Sequence, residues 1–393
     1  MRNNPSIVYG LKARYYMLRL WLQIAMLAVK RTASAGQAFD LVKKINEMKN
    51  KLVDRRPIRK LVKADGKVFW NLNAPAWPSP AFDQYFLFTI DRLLAKKEVE
   101  GERVRFAMIA ITKKCPLSCE HCFEWDEINK KEVLDLDTLK KIVAKYQRLG
   151  AAQFLLGGGE PLSRFHDLVE LIKTAAPTSA FWITTSGFNI TEQKARMLKQ
   201  AGLSGMAISL DHFDKTKHNI FRGHSASYDF VKKAVEACHK TGLALSLSVC
   251  TTRNFVTMDN LMDYARLARD WGIGFIQLLE PRAVGRYKNQ DVELSDEHYA
   301  ILDRFYLMIN EDKEYRHFPR IIHTSYNQRN RGCGGAGRYN VMIDTDGRIN
   351  ACPFCRSNGV FALDDQAIDG ARKIQEAGCH KFQPRTRELN QVG

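Results

Sequence analysis

Three cysteines on one short stretch of the chain are the residues best suited to do chemistry. Cys115, Cys119 and Cys122 follow one another at C-x3-C-x2-C spacing, directly after an apolar run over 106–111 that predicts a buried strand. Thiolates are the ligands of iron–sulfur clusters, so three of them can hold three irons of a four-iron cluster. The fourth iron then has no protein ligand and is open to a substrate or cofactor. A closed structural zinc site would instead need four ligands.

This spacing resembles that of the radical S-adenosylmethionine (SAM) enzymes. The resemblance implies that Cys115, Cys119 and Cys122 are the catalytic cluster ligands and that the open iron binds the amino and carboxylate groups of SAM. It also implies that an electron from the cluster cleaves SAM to methionine and a 5′-deoxyadenosyl radical, which abstracts hydrogen from a substrate. The electron would come from a small donor protein such as flavodoxin or ferredoxin.

Further residues that match the family pattern follow two later predicted strands. The resemblance implies that Gly158, Gly159 and Glu160 bind the SAM amino group through backbone and carboxylate. Without the cysteine loop some 45 residues earlier, a tight turn with an exposed glutamate would be the plainer interpretation. Ser186 lies where relatives often carry asparagine, and we expect it to contact the cofactor.

The fourth predicted strand ends in two polar residues that lie on the same side, Ser209 and Asp211. They resemble the ribose-binding motif of the family. Arg222 follows, and the resemblance implies that it meets the SAM carboxylate, a task that its planar donor fork suits. A surface ion pair is the alternative for Arg222. His121 lies where relatives often carry an aromatic residue, so it is expected against the adenine.

A second group of cysteines lies near the C-terminus: Cys333, Cys352, Cys355 and Cys379. A predicted β-hairpin over 339–351, with Asp346-Gly347 as its turn, separates the first of them from the next two. This segment resembles the SPASM and shorter Twitch extensions of radical SAM enzymes. A full SPASM domain has seven cysteines and two auxiliary clusters, so four cysteines imply one auxiliary 4Fe–4S cluster. Zinc held by four thiolates is the alternative.

The elements that must position these residues alternate between strands and helices. Strands are predicted near 106–112, 152–157, 180–185, 205–210, 243–250 and 273–279. Helices are predicted near 136–148, 165–175, 191–201, 226–240, 258–270 and 295–311. Six βα units in succession indicate a parallel sheet, and ligands of such sheets gather at the carboxyl ends of the strands. Gln277 and Glu280, at the end of the sixth strand, are weaker candidates to face the cofactor or substrate.

The predicted fold class is α/β, a partial (β/α)6 TIM-like barrel with a helical N-terminal extension and a small C-terminal cysteine-rich β-hairpin domain. The expected divisions are a basic helical extension over 1–104, the radical SAM barrel over 105–316, and the auxiliary iron–sulfur domain and tail over 317–393. The repeat of βα units is expected to stop near residue 317.

Positive charge is concentrated ahead of the cysteine loop. The chain carries a net charge of +17, and residues 1–104 hold 20 Lys and Arg against 9 Asp and Glu, a net of +11. Such a field favours an anionic partner. Residues 40–63 read as basic, helix-forming sequence without the aromatic residues that stack on bases, so nucleic acid is not the expected partner.

The first predicted helix, over 9–29, combines basic and apolar residues. Its longest uncharged apolar stretch, Leu20 to Val29, has 10 residues, whereas about 20 are needed to cross a bilayer. Packing on the barrel or on a second copy is one interpretation. Peripheral membrane contact through residues 9–31 is the other.

The nine cysteines indicate metal binding in a reducing cytosol, not a secreted disulfide framework. The expected location is therefore cytoplasmic, with membrane association left open. Relatives with such extensions modify peptides, proteins and small molecules, and a lipid-linked substrate also fits the N-terminal helix. RNA modification and a non-catalytic zinc scaffold are the alternative functions.

Overall fold

The computed structural model describes residues 5–52, 56, 58–95, 103–333, 337, 339–356, 359–376, 379 and 382. The N-terminal part of the chain combines helices with a small antiparallel sheet of order β1-β2-β3. Its elements are β1 (Ser6–Tyr9), α1 (Leu11–Arg31), α2 (Ala35–Leu52), β2 (Lys60–Ala64), β3 (Lys67–Phe69) and α3 (Pro80–Leu94).

Two expectations for the N-terminal part need correction. The first helix begins at Leu11 because residues 6–9 pair with β2. The helical interpretation of 40–63 is wrong at its end, where residues 60–63 belong to β2; residues 53–55 and 57 of that stretch lie outside the described residues. Pro57, which disfavours helix, lies in the sequence between α2 and β2, and the apolar pair Leu61 and Val62 is buried in the sheet.

The predicted barrel strands and helices are all present. In chain order they are β4 (Phe106–Ala110), α4 (Leu136–Arg148), β5 (Gln153–Gly157), α5 (Phe165–Thr174), β6 (Ala180–Thr185), α6 (Glu192–Ala201), β7 (Leu203–Ser209), α7 (Lys215–Arg222), α8 (Ser227–Thr241), β8 (Ala244–Cys250), α9 (Met258–Asp270), β9 (Phe275–Leu279) and α10 (Asp296–Glu311). The six strands pair in parallel in chain order. The short helix α7 was not predicted.

The C-terminal segment extends this same sheet at both edges. Its elements are β10 (Arg320–Ile322), α11 (Thr324–Arg331), β11 (Asn340–Ile343), β12 (Ile349–Asn350) and α12 (Ala367–Glu376). β10 adds in parallel to β9, and β11 adds in parallel to β4, so the order is β10-β9-β8-β7-β6-β5-β4-β11-β12. The repeat of βα units was expected to stop near residue 317, and that the later strands β10 and β11 join the same sheet was not predicted. The outer strands of an open sheet leave backbone hydrogen-bonding groups unpaired, and β10 and β11 pair with those of β9 and β4.

The hairpin predicted over 339–351 is confirmed. β11 and β12 pair antiparallel, and the amide of Asp344 donates to the carbonyl of Arg348 at 3.0 Å. The main core lies between the sheet and its helices, and every residue of β8 is buried, as expected for a sheet covered on both faces. Within the described residues, no helix combines the length and apolar character needed to cross a membrane.

Candidate active site

The cysteine loop and the other predicted motifs lie at one edge of the sheet. The loop follows β4, while Gly158, Ser186 and Asp211 follow β5, β6 and β7 in turn. These strands are adjacent and parallel, so their carboxyl ends meet at the same edge. This is the edge at which barrel enzymes place their reacting groups.

The glycines after β5 let the backbone approach the start of the cysteine loop. The amide of Gly159 donates to the carbonyl of Thr112 at 2.8 Å, and that of Glu160 donates to the carbonyl of Lys114 at 2.7 Å. A Cβ on Gly159 would overlap that carbonyl of Lys114. The sequence Gly-Gly-Glu is thus needed for the two loops to lie against each other.

Glu160 is buried and fully hydrogen-bonded. Its carboxylate accepts from the Thr185 hydroxyl at 2.6 Å, from the Ser186 hydroxyl at 2.6 Å and amide at 2.8 Å, and from the Leu162 amide at 3.1 Å. Burial raises the pKa of Glu160, and these hydrogen bonds act against that rise. A carboxylate has about four acceptor positions, so an ammonium group could bind only if a hydroxyl turned away.

Asp211 and Arg222 form a buried ion pair beside the cysteine loop. Arg222 Nε donates to Asp211 at 2.5 Å, and Arg222 Nη1 lies 3.5 Å from Cys119 Sγ. Asp211 also accepts from the Cys250 amide at 2.8 Å. Burial opposes its ionisation, but the charge of Arg222 prevails and the pKa of Asp211 is lowered. The surface ion pair considered for Arg222 is therefore wrong; Ser209, at the end of β7, is half-buried.

His121 is half-buried and stacks on an aromatic neighbour. Its ring lies 4.9 Å from that of Phe221, with an angle of 21° between their planes. Burial lowers the pKa of His121 to about 4, so the ring is neutral at physiological pH. Its Nδ1 atom is buried and has no hydrogen-bond partner in the described part of the chain. One ring face is thus taken by Phe221, and the predicted adenine contact would use the other.

A segment after β9 also contacts the cysteine loop, and it was not among the predicted site residues. The amide of Arg286 donates to the Cys122 carbonyl at 2.9 Å, and its guanidinium donates to the Ser118 carbonyl at 2.5 Å. Gly285 has φ +56°, and a Cβ there would overlap the Cys122 carbonyl. A Gly-Arg pair shortly after a barrel strand is the sequence feature that could have identified this segment.

Two of the three thiols of the cysteine loop have raised pKa values. Burial, supplemented by the charge of the neighbouring Cys119, raises the pKa of Cys115 to about 12 and that of Cys122 to about 11. Iron must therefore displace protons from them. No three Cys, His, Asp or Glu side chains of the described residues converge on one point where a single ion would sit. In a four-iron cluster each thiolate binds its own iron, so such convergence is not required.

The C-terminal cysteines also approach one another. The amide of Cys355 donates to Cys352 Sγ at 3.2 Å, and the Cys355 thiol contacts both Cys352 and Cys379. The hydrogen bond from Cys355 lowers the pKa of Cys352, and the same contact raises the pKa of Cys355. The amide of Cys333 donates to the carbonyl of Phe382, which lies three residues after Cys379.

Arg282 lies next to this second cysteine group. Its guanidinium lies 4.6 Å from the ring centre of Phe382, and its charge helps to lower the pKa of Cys352. Arg282 also pairs with the buried Glu280 at 3.4 Å, while its Nη1 atom is buried and lacks a hydrogen-bond partner in the described chain. This donor is available to an anionic group.

Glu280 itself is held in a buried polar network. It accepts from His323 at 3.0 Å and pairs with Arg329, which also pairs with Asp303. Burial opposes its ionisation, but the hydrogen bond from His323 and the charge of Arg329 lower its pKa. The other weak candidate, Gln277, accepts from the Ser248 hydroxyl at 3.0 Å. Contact of either residue with cofactor or substrate stays a prediction.

Direct contacts join the two cysteine groups. Arg356 donates to both oxygens of the buried Glu124, at 2.6 and 3.0 Å. The rings of Phe123 and Phe354 pack edge to face, 6.3 Å apart. Two of these residues follow the last cysteine of the first loop, and the other two flank Cys355. The structure thus places the two groups next to each other, which the sequence did not predict.

Comparisons with known proteins agree with this architecture. The family model described as the radical SAM superfamily matches residues 109–273. A GTP 3′,8-cyclase of Alkaliphilus oremlandii is 28% identical over 301 residues, covering 71% of this chain and 90% of that protein. A probable GTP 3′,8-cyclase of Pyrococcus abyssi is 30% identical over 266 residues, covering 67% and 80%.

A solved structure shares the fold over most of the chain. SuiB of Streptococcus suis, bound to its precursor peptide SuiA, aligns with a TM-score of 0.56 at 14% identity. The alignment covers 90% of this chain and 81% of SuiB. Similarity at this level of identity supports the architecture of the sheet and helices.

Proposed function

Because this chain belongs to the radical SAM superfamily, we propose that Cys115, Cys119 and Cys122 hold its SAM-binding 4Fe–4S cluster. The chain is a radical SAM enzyme and binds both a 4Fe–4S cluster and SAM. When bound, the cluster supplies the electron for cleavage of SAM to a 5′-deoxyadenosyl radical, which takes hydrogen from the substrate. A reductant is therefore required, and a flavodoxin- or ferredoxin-type protein fits that role.

One observation carries the proposal. The loop with the three thiols lies at the carboxyl edge of the sheet, where the residues after β5 and Gly285–Arg286 both contact it. The donor set is all thiol, as iron–sulfur clusters need. The close backbone contacts at Gly159 fix the loop without a side chain in the way.

The residues around the thiols divide the binding of SAM among them. We assign the SAM ammonium to the backbone of Gly158 and Gly159 and to Glu160, which Ser186 orients through two hydrogen bonds. Binding requires the Ser186 hydroxyl to turn away, which frees one acceptor position of the carboxylate.

Residues at and after the end of β7 are assigned to the carboxylate and the ribose of SAM. Arg222, held by Asp211 and close to Cys119, is assigned to the SAM carboxylate because its charge points toward the cluster loop. Ser209 is assigned to the ribose together with Asp211, and His121 to the adenine through its free face.

The C-terminal group is assigned to one auxiliary 4Fe–4S cluster. Its ligands would be Cys333, Cys352, Cys355 and Cys379. The contacts among the last three thiols, and their position beside the first loop, support this assignment. Such a cluster would hold the substrate or accept an electron from the substrate radical.

The substrate is a peptide, a protein or a small molecule, and the unpaired Nη1 of Arg282 favours one with an anionic group. A nucleotide is the second candidate, because the relatives named GTP 3′,8-cyclase are covered over 80% and 90% of their length. A lipid-linked substrate fits the exposed basic helix α1. Stimulation of 5′-deoxyadenosine formation by GTP, compared with a peptide mixture, would separate these classes.

The direct test is anaerobic reconstitution followed by reduction in the presence of SAM. We expect about eight irons per chain and formation of 5′-deoxyadenosine. Cys119→Ala should abolish 5′-deoxyadenosine formation, whereas Cys238→Ala, buried in α8 and away from the site, should retain it. Undiminished SAM cleavage by Cys119→Ala would refute the assignment, and bound zinc in place of iron would support the scaffold alternative.

A further inference from the structure

One face of α1 is apolar and open to solvent. Six large apolar residues recur every three or four positions along this 21-residue helix, with between 53% and 81% of each exposed: Leu11, Tyr15, Leu18, Leu22, Met26 and Val29. That spacing places them on a single side of the helix. We call these six residues the apolar stripe.

The opposite face of α1 packs against other helices of the N-terminal part. Leu20, Ile24 and Leu27 are buried against α2 and α3, in a cluster that includes Phe82 and Ile90. The helix therefore has two apolar faces, and only one of them packs against other residues that the structure describes. The fold does not need the stripe, so its apolar character calls for an external partner.

Basic residues border the stripe. Lys12 and Arg14 near the start of α1, Arg19 in its middle and Lys30 near its end are all exposed. Arg31, the last residue of the helix, pairs instead with Asp91 of α3 at 3.5 Å. The sequence of α1 contains no Asp or Glu. Long basic side chains can lay their methylenes along an apolar surface and extend the charge to an anionic layer.

We propose that the apolar stripe and its basic border bind the surface of an anionic bilayer, with α1 lying in the plane of the interface. The combination of apolar stripe and flanking positive charge is the pattern of interfacial helices. The net charge of +11 over residues 1–104 adds to the attraction. The proposal is independent of the SAM chemistry, because vesicle binding needs no turnover.

The positive charge of α1 argues against a second copy of the chain as the partner that covers the apolar stripe. In a two-fold symmetric contact, the same surface faces itself. The basic border of one α1 would then face that of the other without a carboxylate from either helix. Like charges in that arrangement repel, whereas a layer of anionic head groups neutralises them.

The test is co-sedimentation of the reconstituted full-length protein with vesicles of phosphatidylcholine containing phosphatidylglycerol, and with vesicles of phosphatidylcholine alone. We expect binding to the anionic vesicles and weaker binding to the neutral ones. Leu18→Gln/Leu22→Gln should lower binding about tenfold or more, because two exposed leucines lose their burial in the interface. Lys12→Gln/Lys30→Gln should lower binding to anionic vesicles by about fivefold per residue.

Matched controls separate the stripe from general surface effects. Val133→Gln removes an exposed apolar residue elsewhere, and Lys232→Gln/Lys233→Gln removes two exposed charges from α8. Both should bind vesicles as the unaltered protein does, and circular dichroism should show all variants folded. The proposal fails if the folded protein stays in the supernatant with anionic vesicles or if Leu18→Gln/Leu22→Gln binds undiminished. It also fails if light scattering shows a dimer that the same substitution dissociates.

Discussion

Arg222 links the proposed SAM site to the rest of the barrel through its contacts with Asp211 and Cys119. The sequence identified Asp211 and Arg222 because both belong to motifs after predicted strands. It did not show that they pair with each other, since α7, which carries Arg222, was not predicted; its signals, Asp214 before its first residue and Gly223 after its last, bound only eight residues. The pairing of Asp211 with Arg222 depends on the tertiary fold, which the spacing of motifs alone does not encode.

The buried ion pair should be costly to break. Arg222→Met leaves Asp211 charged and unpaired, so we expect the protein to lose about 3–5 kcal/mol of unfolding free energy, measured by anaerobic urea denaturation. Asp211→Asn/Arg222→Met should recover part of the loss. As a matched control, Arg266→Met breaks an exposed pair with Asp263 and should cost less than about 1 kcal/mol. Equal costs for Arg222→Met and Arg266→Met would contradict the buried pairing.

Ser186 gives a second prediction at this scale. Ser186→Ala removes one donor from Glu160 but leaves the amide of residue 186 in place. If Glu160 binds the SAM ammonium, the freed acceptor position should keep or strengthen SAM affinity, measured by equilibrium dialysis. Glu160→Gln should weaken SAM binding about tenfold, because the charge attraction is lost. Unchanged SAM affinity in Glu160→Gln would remove Glu160 from the site.

At the scale of elements, the cysteine loop depends on segments that are distant in sequence. The six strands were predictable because each is an apolar run between turn signals, and the strand ends fixed where the motifs would meet. The contact from Gly285–Arg286 was not predictable, because it depends on how closely the segment after β9 approaches the loop after β4. The addition of β10 and β11 to the sheet was missed for a similar reason: both are short strands, and their partners lie far away in the chain.

Gly285→Ala tests that contact. The new Cβ would overlap the Cys122 carbonyl, and a positive φ is unfavourable for alanine, so the segment must move away from the loop. We expect the iron content to fall from about eight to about four per chain, with the auxiliary site retained. Gly36→Ala is the matched control, because a Cβ there meets no atom within 4 Å and the position has no positive φ. Full iron content in Gly285→Ala would show that the contact does not hold the loop.

At the scale of the whole molecule, the N-terminal part is joined to the barrel through a buried lysine. Lys60 of β2 donates to the carbonyls of Ile309 and Tyr315 at 2.5 and 2.6 Å and to that of Phe318 at 3.2 Å. Burial, with a smaller contribution from the charge of Arg320, lowers the pKa of Lys60 to about 7. A lysine in a basic segment is expected to lie on the solvated surface, so the sequence alone did not predict this contact between β2 and the barrel.

This lowered pKa makes stability depend on pH. Below pH 7 Lys60 is charged in both the folded and the unfolded chain. Between pH about 7 and pH about 10.4 only the unfolded chain keeps the proton, so the unfolding free energy rises with pH. From pH 7 to pH 9 we expect a gain of about 2 kcal/mol in unfolding free energy relative to Lys60→Met, measured by urea denaturation. Parallel pH profiles for the two proteins would contradict the burial of an ionisable Lys60.

The central claim is that three thiols of one loop leave one iron of a cluster open to SAM. Electron–nuclear double resonance of the reduced protein with ¹⁵N- and ¹⁷O-labelled SAM tests it most directly. We predict coupling of the cluster spin to the amino nitrogen and a carboxylate oxygen of SAM, and loss of both couplings in Cys119→Ala. A reduced cluster that shows no coupling to either labelled atom, in protein that retains its full iron content, would contradict the claim.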